Sequence, residues 1–233
     1  MNWTRDTTGR FRQRPHYLPA ELEQICEDAI CKFLVERYGK VTFPVSTADL
    51  TVLIERDVAD LDSYSELDAT TDGLTDFFPK KKPKVKIAAR LQEPRFENRL
   101  RTTLTHEYGH VILHGFMFAL DDGLAKLFDG QPKETRNSCH RDHIHGGAID
   151  WMEWQAGFAC GALLMPQTEL VRIVKAFRAA EDLPYAEIGV DSDPGKRLIL
   201  NVMEAFRVSQ DAARVRLEQR KALVRNPSVG LFG

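Results

Sequence analysis

Two histidines four residues apart stand in the run HEYGH, where His106 and His110 flank Glu107. The surrounding stretch RLRTTLTHEYGHVILHGF has apolar residues at helical spacing, which predicts an amphipathic helix. On a helix, positions four apart are about 40° apart around the axis and one turn along it, so both imidazoles can bind one metal ion. The spacing therefore predicts a zinc site, with Glu107 placed beside it as a general base.

A catalytic zinc site has three protein ligands and leaves one position open. The later run WMEWQAGFACGALLM is nearly all apolar and predicts a buried helix, in which Glu153 is the one acidic residue. A buried carboxylate is costly unless it is paired or binds a metal. We therefore expect Glu153 to be the third ligand, with a buried salt bridge as the alternative. The other candidates for this ligand are His114, His140, His143, His145, Cys139 and Cys160.

These other candidates fit a zinc site less well. His114 is one turn beyond His110, and a rotation of about 80° from His106 would carry it off the metal, so we expect it to support a ligand or to pack. The run CHRDHIH could form a separate metal site, but its spacing matches no compact zinc pattern and favours a polar loop. Cys160 is expected to be a small core residue.

The composition is that of an ordinary soluble globular protein. Of 233 residues, 43 % are hydrophobic and 28 % charged, and the formal net charge is -2. No apolar run approaches the roughly 20 residues that span a bilayer, and the arginine-rich first residues do not resemble a secretory signal. The four cysteines form no CxxC pair and are expected to be reduced. We therefore expect a cytoplasmic protein with no membrane segment.

The chain before the HEYGH helix predicts two helices and a small hairpin. The helices are expected at residues 19–38 and, after an N-cap at Ser46 or Thr47, in the run TADLTVLIER. The acidic residues 60–73 predict a loop. GLTDFFP and KVKIAAR predict two strands joined by PKKKPK, and the lysines of the second strand are typical of a sheet edge, where an extended substrate could pair.

The chain after that helix predicts a long loop and then more helices. Residues 121–150 are rich in Gly, Asp, His and Lys and are expected to form a partly mobile loop that acts as a lid. Pro166 then begins a helix, and two further helices are expected with Ser209 as the N-cap between them. This tail is also typical of a helix-turn-helix module. The basic run 80–101 and the acidic run 57–76 are expected to be solvated faces rather than a partner groove.

Three passages resemble the ImmA/IrrE-type metallopeptidases, which are minimal gluzincins that act on bacterial repressors. They are TLTHEYGHVILH, EWQAGFACGALLMP and, more weakly, GLTDFFPKKKPKVKIA, and together they span about residues 45 to 170. The resemblance implies that His106 and His110 are zinc ligands, that Glu107 is the general base and that Glu153 is the third ligand. Gly157 departs from the family, which often has asparagine there, so a hydrogen bond from that position is lost.

The sequence thus favours an α+β fold, mostly helical, in which a zincin-like HExxH helix packs on a small β-sheet and a helical extension follows. Residues 1–182 are expected to form the metallopeptidase domain, with 1–18 flexible, and 183–233 the C-terminal helical region. The resemblance implies a zinc (Zn²⁺) endopeptidase of narrow specificity that cleaves a helix-turn-helix repressor or a similar regulatory protein.

Two other functions remain open at this stage. One is a non-catalytic DNA-binding or toxin-antitoxin type interaction protein with a structural zinc site, in which tail arginines contact nucleic acid. The other is zinc-dependent hydrolysis of a substrate that is not a peptide. The tail arginines are Arg207, Arg214, Arg216 and Arg220. The oligomeric state cannot be read from the sequence.

Overall fold

The computed structural model describes residues 1–128, 135–140, 150–183 and 187–225, with side chains described for all of these except 119–128 and 135–140. The fold is α+β, with seven α-helices and a four-stranded mixed sheet within the described residues. The chain divides into two compact units, one made of Met1–Val41 and Ser46–Leu163 and the other of Thr42–Val45 and Leu164–Gly233. The division thus falls after Leu163, whereas the sequence suggested residue 182.

The first unit begins with a hairpin and two helices. Strands β1 (Asn2–Arg5) and β2 (Gln13–His16) pair antiparallel, in a segment for which the sequence suggested flexibility. Helices α1 (Pro19–Tyr38) and α2 (Thr47–Asp57) lie where the sequence predicted them. The N-cap of α2 is Ser46, whose hydroxyl oxygen accepts a hydrogen bond of 3.0 Å from the backbone N–H of Asp49.

The sheet contains strands β3 (Asp60–Ser65), β4 (Thr71–Phe78), β5 (Lys81–Ala88) and β6 (Thr135–His140). Their spatial order is β3-β5-β4-β6. The predicted hairpin is confirmed, because β4 and β5 pair antiparallel with Thr75 opposite Val85. β3 is parallel to β5, and β6 is antiparallel to β4.

Two expectations about the sheet are wrong. Residues 60–65 form a strand and not a loop. Their acidic side chains are tolerated because β3 lies at the edge of the described sheet, where β5 is its one partner among the described strands. β5 is an inner strand and not an edge. Lys82, Lys84 and Lys86 lie on its more exposed face. Pro83, Val85 and Ile87 alternate with them and are buried. The carbonyl oxygen of Pro83 still accepts a hydrogen bond from Ala59 N–H at 2.8 Å.

Two further helices carry the residues expected at the metal site. After two short 3₁₀ turns, α3 runs through Glu97–Phe128, and α4 spans Trp151–Leu164. The loop expected from residue 121 is wrong for the described part, because α3 continues to Phe128 and β6 joins the sheet. Residues 129–134 and 141–149, including His143 and His145, lie outside the described residues, so the lid stays a prediction.

The two charged runs pair with each other. Lys86 Nζ lies 3.4 Å from Asp76 Oδ2, across the β4–β5 hairpin. Arg90 and Arg99 both donate to the carboxylate of Asp72, at 2.7 and 2.6 Å. These contacts explain part of the local charge asymmetry without a charged partner.

The second unit contains helices α5 (Gln167–Ala180), α6 (Asp193–Phe206) and α7 (Gln210–Gln219). Ser209 caps α7, as the sequence predicted, by accepting a hydrogen bond of 3.2 Å from Ala212 N–H. α6 and α7 are joined by three residues, of which Arg207 has left-handed φ and ψ. No described helix combines the length and apolar character that crossing a bilayer requires.

Candidate metal centre

Helices α3 and α4 bring three predicted ligands together. His106 Nε2 lies 3.2 Å from Glu153 Oε2, and His110 Nε2 lies 3.3 Å from Glu153 Oε1. The two imidazole Nε2 atoms are 3.2 Å apart. These three residues form a group that could hold a metal ion.

The spacing of these atoms fits a small tetrahedral ion. Ligand atoms about 2.0 to 2.1 Å from a tetrahedral zinc ion are about 3.3 to 3.4 Å apart. The two Nε2 atoms are 3.2 Å apart, and each lies 3.2 to 3.3 Å from a different oxygen of the Glu153 carboxylate, so these separations are close to that value. The side chain of His110 is buried, whereas those of His106 and Glu153 are 17 % and 18 % exposed, so solvent reaches one side of the group. Two imidazoles and one carboxylate are a donor set that suits zinc, although the geometry does not identify the metal.

The close approach of the two helices depends on Gly109, inside the HEYGH run. A Cβ atom at this position would lie 2.9 Å from Ala159 Cβ and 3.2 Å from Ala156 Cα. Gly109 and the two small residues of α4 therefore let the backbones approach. This contact places Glu153, one turn before Ala156 on α4, opposite the histidines of α3.

Glu107 lies on α3 between the two histidines and faces strand β4. Thr75 Oγ1 donates a hydrogen bond of 2.6 Å to Glu107 Oε2, and both residues are buried. Glu107 Oε1 is buried and has no hydrogen-bond partner among the described residues. A buried carboxylate oxygen without a partner is rare in folded proteins, and a water or ion at the site would satisfy it.

The buried charges of the group shift one another's pKa. Burial raises the pKa of Glu107, and the neighbouring His110 and His106 only partly offset this effect. Burial also acts to raise the pKa of Glu153, but the polar contacts with His106 and His110 outweigh it and lower the pKa below its usual value. Glu153 is therefore ionised at neutral pH, as a metal ligand must be.

Of the other candidate ligands, the two whose side chains are described, His114 and Cys160, do not join this group. His114 lies behind His110, with its Nδ1 atom 3.0 Å from His110 Nδ1, so it contacts a candidate ligand. Cys160 is buried and its sulfur accepts a hydrogen bond of 3.3 Å from Thr105 Oγ1, which confirms a core position. For Cys139 and His140 only the backbone is described, in β6 opposite Gly73 and Thr71.

Three residues around the site were not identified from the sequence. They are Gly73 and Thr75 of β4, which contact Glu107, and Gln155 of α4, which contacts His114. Gln155 had a signal, because it is a polar residue on a helix that is otherwise apolar. Gly73 and Thr75 had none, since only the packing of β4 against α3 brings them to Glu107.

We expect Gly73→Ala to destabilise the protein by about 1–3 kcal/mol, the range for overpacking a dense core. A Cβ atom at Gly73 would lie 2.5 Å from Glu107 Oε1 and 2.8 Å from Thr103 Cγ2, so the carboxylate must move. The matched control is Gly157→Ala, whose added Cβ meets no atom within 4 Å and lies inside a helix. It should stabilise the protein by about 0.5–1 kcal/mol. Urea unfolding of both variants tests this, and equal stability of Gly73→Ala and wild type would contradict the close contact.

The geometry can support hydrolysis with a metal-activated water. It combines three ligand atoms, solvent access on one side and a buried carboxylate whose second oxygen is free to accept a proton.

In comparisons with known proteins, no protein-family model and no curated protein matches this chain.

Proposed function

We propose that this protein is a zinc-dependent endopeptidase of narrow specificity. The observation that carries the proposal is the combination of the His106, His110 and Glu153 group with the buried, unpartnered Oε1 of Glu107 on the same helix. A site that only stored a metal would have no use for this carboxylate. The resemblance of the HEYGH and EWQAGFACGALLMP passages to ImmA/IrrE-type metallopeptidases agrees with this function.

His106, His110 and Glu153 would hold the metal. Bound zinc would lower the pKa of a coordinated water to about 7 and polarise the scissile carbonyl. Glu107 would act as general base: Thr75 holds its Oε2 by a hydrogen bond, and its Oε1 would accept the proton of the attacking water. The same carboxyl group would then deliver that proton to the leaving amine. The partly exposed sides of His106 and Glu153 leave room for the substrate.

The substrate we propose is a helix-turn-helix repressor or a similar regulatory protein. This choice rests on the family resemblance and not on the geometry, because the metal group suits hydrolysis of any accessible peptide carbonyl. The protein would act in the cytoplasm, where such repressors bind DNA.

The structural-zinc alternative is less well supported. A structural zinc site has four protein ligands, whereas three described residues meet here. Tail arginines are also engaged within the protein. Arg216 is buried and its guanidinium donates to Met165 O at 3.0 and 3.2 Å, and Arg214 pairs with Asp211 and Glu218. They are therefore poorly placed to contact nucleic acid.

The test of function is cleavage of a candidate repressor. The zinc-loaded protein is incubated with the helix-turn-helix repressor encoded nearest to its own gene, and the products are separated by gel and located by mass spectrometry. We expect one cleavage site, lost when a chelator removes the metal and restored by added zinc. An intact repressor, together with no turnover of unfolded protein substrates, would contradict the proposal.

Zinc binding should also stabilise the protein against heat. At a zinc concentration 100 times the dissociation constant, binding contributes about 2.7 kcal/mol to the free energy of unfolding. In a protein of this size each kcal/mol raises Tm by about 2–4 °C, so we expect a rise of about 5–10 °C. Calorimetry of the metal-free and zinc-loaded forms measures it. An unchanged Tm in zinc would count against the site.

A further inference from the structure

A chain of buried polar side chains extends from the metal group to the N-terminal hairpin. His110 Nδ1 lies 3.0 Å from His114 Nδ1, and His114 Nε2 lies 3.0 Å from Gln155 Oε1. Gln155 Nε2 donates a hydrogen bond of 3.2 Å to the carbonyl oxygen of Pro15, at strand β2. All three side chains are buried. Each contact in this chain therefore needs one donor and one acceptor.

The proton positions follow from the far end of the chain. The carbonyl of Pro15 can only accept, so the amide nitrogen of Gln155 donates to it and Gln155 Oε1 is turned toward His114. This oxygen can only accept, so His114 Nε2 carries a proton. In the neutral imidazole of His114 the other nitrogen, Nδ1, is then an acceptor.

His110 then donates from Nδ1, and in its neutral imidazole Nε2 carries the lone pair. This Nε2 atom is the one that faces His106 and Glu153. The hydrogen bonds from Pro15 through Gln155 and His114 thus select the one neutral tautomer of His110 that can bind a metal through Nε2.

We infer that His114 and Gln155 are positioning residues for the metal site, and that the carbonyl of Pro15 anchors them. The inference rests on the proposed metal binding but not on peptidase activity. It adds to the site a segment that lies about 90 residues before the HEYGH run in the sequence.

Other contacts hold the hairpin against the start of α4. Arg10 Nη2 lies 2.9 Å from Asp150 Oδ2, and the guanidinium of Arg14 lies 5.6 Å from the ring centroid of Trp151. The Trp151 ring in turn meets the His114 ring edge-on, with centroids 5.4 Å apart and an angle of 90°. The hairpin therefore contacts the same end of α4 that carries Glu153 and Gln155.

Two variants of His114 separate hydrogen bonding from packing. His114→Phe keeps a ring against Trp151 but removes both hydrogen bonds. His114→Gln can keep both, because its amide oxygen can accept from His110 and its amide nitrogen can donate to Gln155. Met117→Leu changes a buried apolar residue further along α3 and serves as the packing control.

Zinc affinity is measured by competition with a chromophoric chelator, and folding by circular dichroism of the metal-free proteins. We expect His114→Phe to bind zinc about 10–100-fold more weakly, as for loss of other outer-shell partners, with His114→Gln and Met117→Leu close to wild type. The cobalt-substituted proteins should show an altered ligand-field spectrum in His114→Phe alone. Gln155→Leu removes the acceptor for His114 and should also weaken zinc binding. It replaces His114→Phe as the test variant if His114→Phe does not fold.

Wild-type affinity in both His114→Phe and Gln155→Leu would overturn the inference while leaving the proposed peptidase intact. An equal loss in His114→Phe, His114→Gln and Met117→Leu would also overturn it, because packing alone would then explain the effect. If the wild-type protein bound no zinc, both the positioning role of His114 and Gln155 and the proposed function would be contradicted.

Discussion

Glu107→Gln is expected to abolish peptide hydrolysis while zinc binding persists. Glutamine has almost the same shape and can still accept the hydrogen bond from Thr75, but its amide cannot take a proton from the attacking water. General acid–base catalysis contributes about 100-fold to 10,000-fold to a rate, so turnover should fall by at least about 100-fold. The metal ligands are untouched, so zinc content should stay at one ion per chain.

The measurement pairs repressor cleavage with zinc content of the purified variant. The free energy of unfolding of metal-free Glu107→Gln provides a second check. Because burial raises the pKa of Glu107, a neutral glutamine should not lower the free energy of unfolding of the metal-free protein. Thr75→Val, which removes the hydrogen bond to Glu107 but leaves the carboxylate, should have a smaller effect on turnover. Full activity in Glu107→Gln would show that another group is the base, and loss of zinc would show that Glu107 is a ligand.

Glu153→Ala is expected to have the largest effect on metal binding. The variant removes one of three ligands and the only negative charge among them, leaving two neutral imidazoles for a divalent ion. Removing outer-shell partners weakens metal sites by about 10–100-fold, so removal of this ligand should weaken binding by more than about 100-fold. The thermal stabilisation by zinc should then disappear.

The matched control is Trp154→Ala, at the next position of the same helix. Trp154 is 47 % exposed and is not part of the metal group, so its loss should leave zinc affinity unchanged. Zinc titration and calorimetry of both variants measure the difference. Equal zinc content in Glu153→Ala and wild type would show that the third ligand is another residue, such as one in the 129–149 region.

Much of the helical part of the fold could be predicted because its signals are local. Spacing of apolar residues and serine caps located α1, α2 and α5 to α7, and the same local reasoning placed Glu153 on a buried helix. The sheet was predicted less well. The hairpin of β4 and β5 joins strands close in sequence, whereas β3 and β6 depend on partners that a local pattern does not specify.

The HEYGH run shows the same division at the scale of the site. The sequence by itself determined that His106 and His110 share one face of a helix, and it singled out Glu153 as a costly buried charge. Only the tertiary structure decided that the imidazole Nε2 atoms and the Glu153 carboxylate approach to 3.2 to 3.3 Å, because the approach of α3 and α4 depends on Gly109 meeting Ala156 and Ala159.

The tertiary structure also decided which groups surround Glu107 and His110. Thr75, Gly73, Gln155 and Pro15 come from distant parts of the chain, and long-range packing leaves no periodic signal in a single sequence.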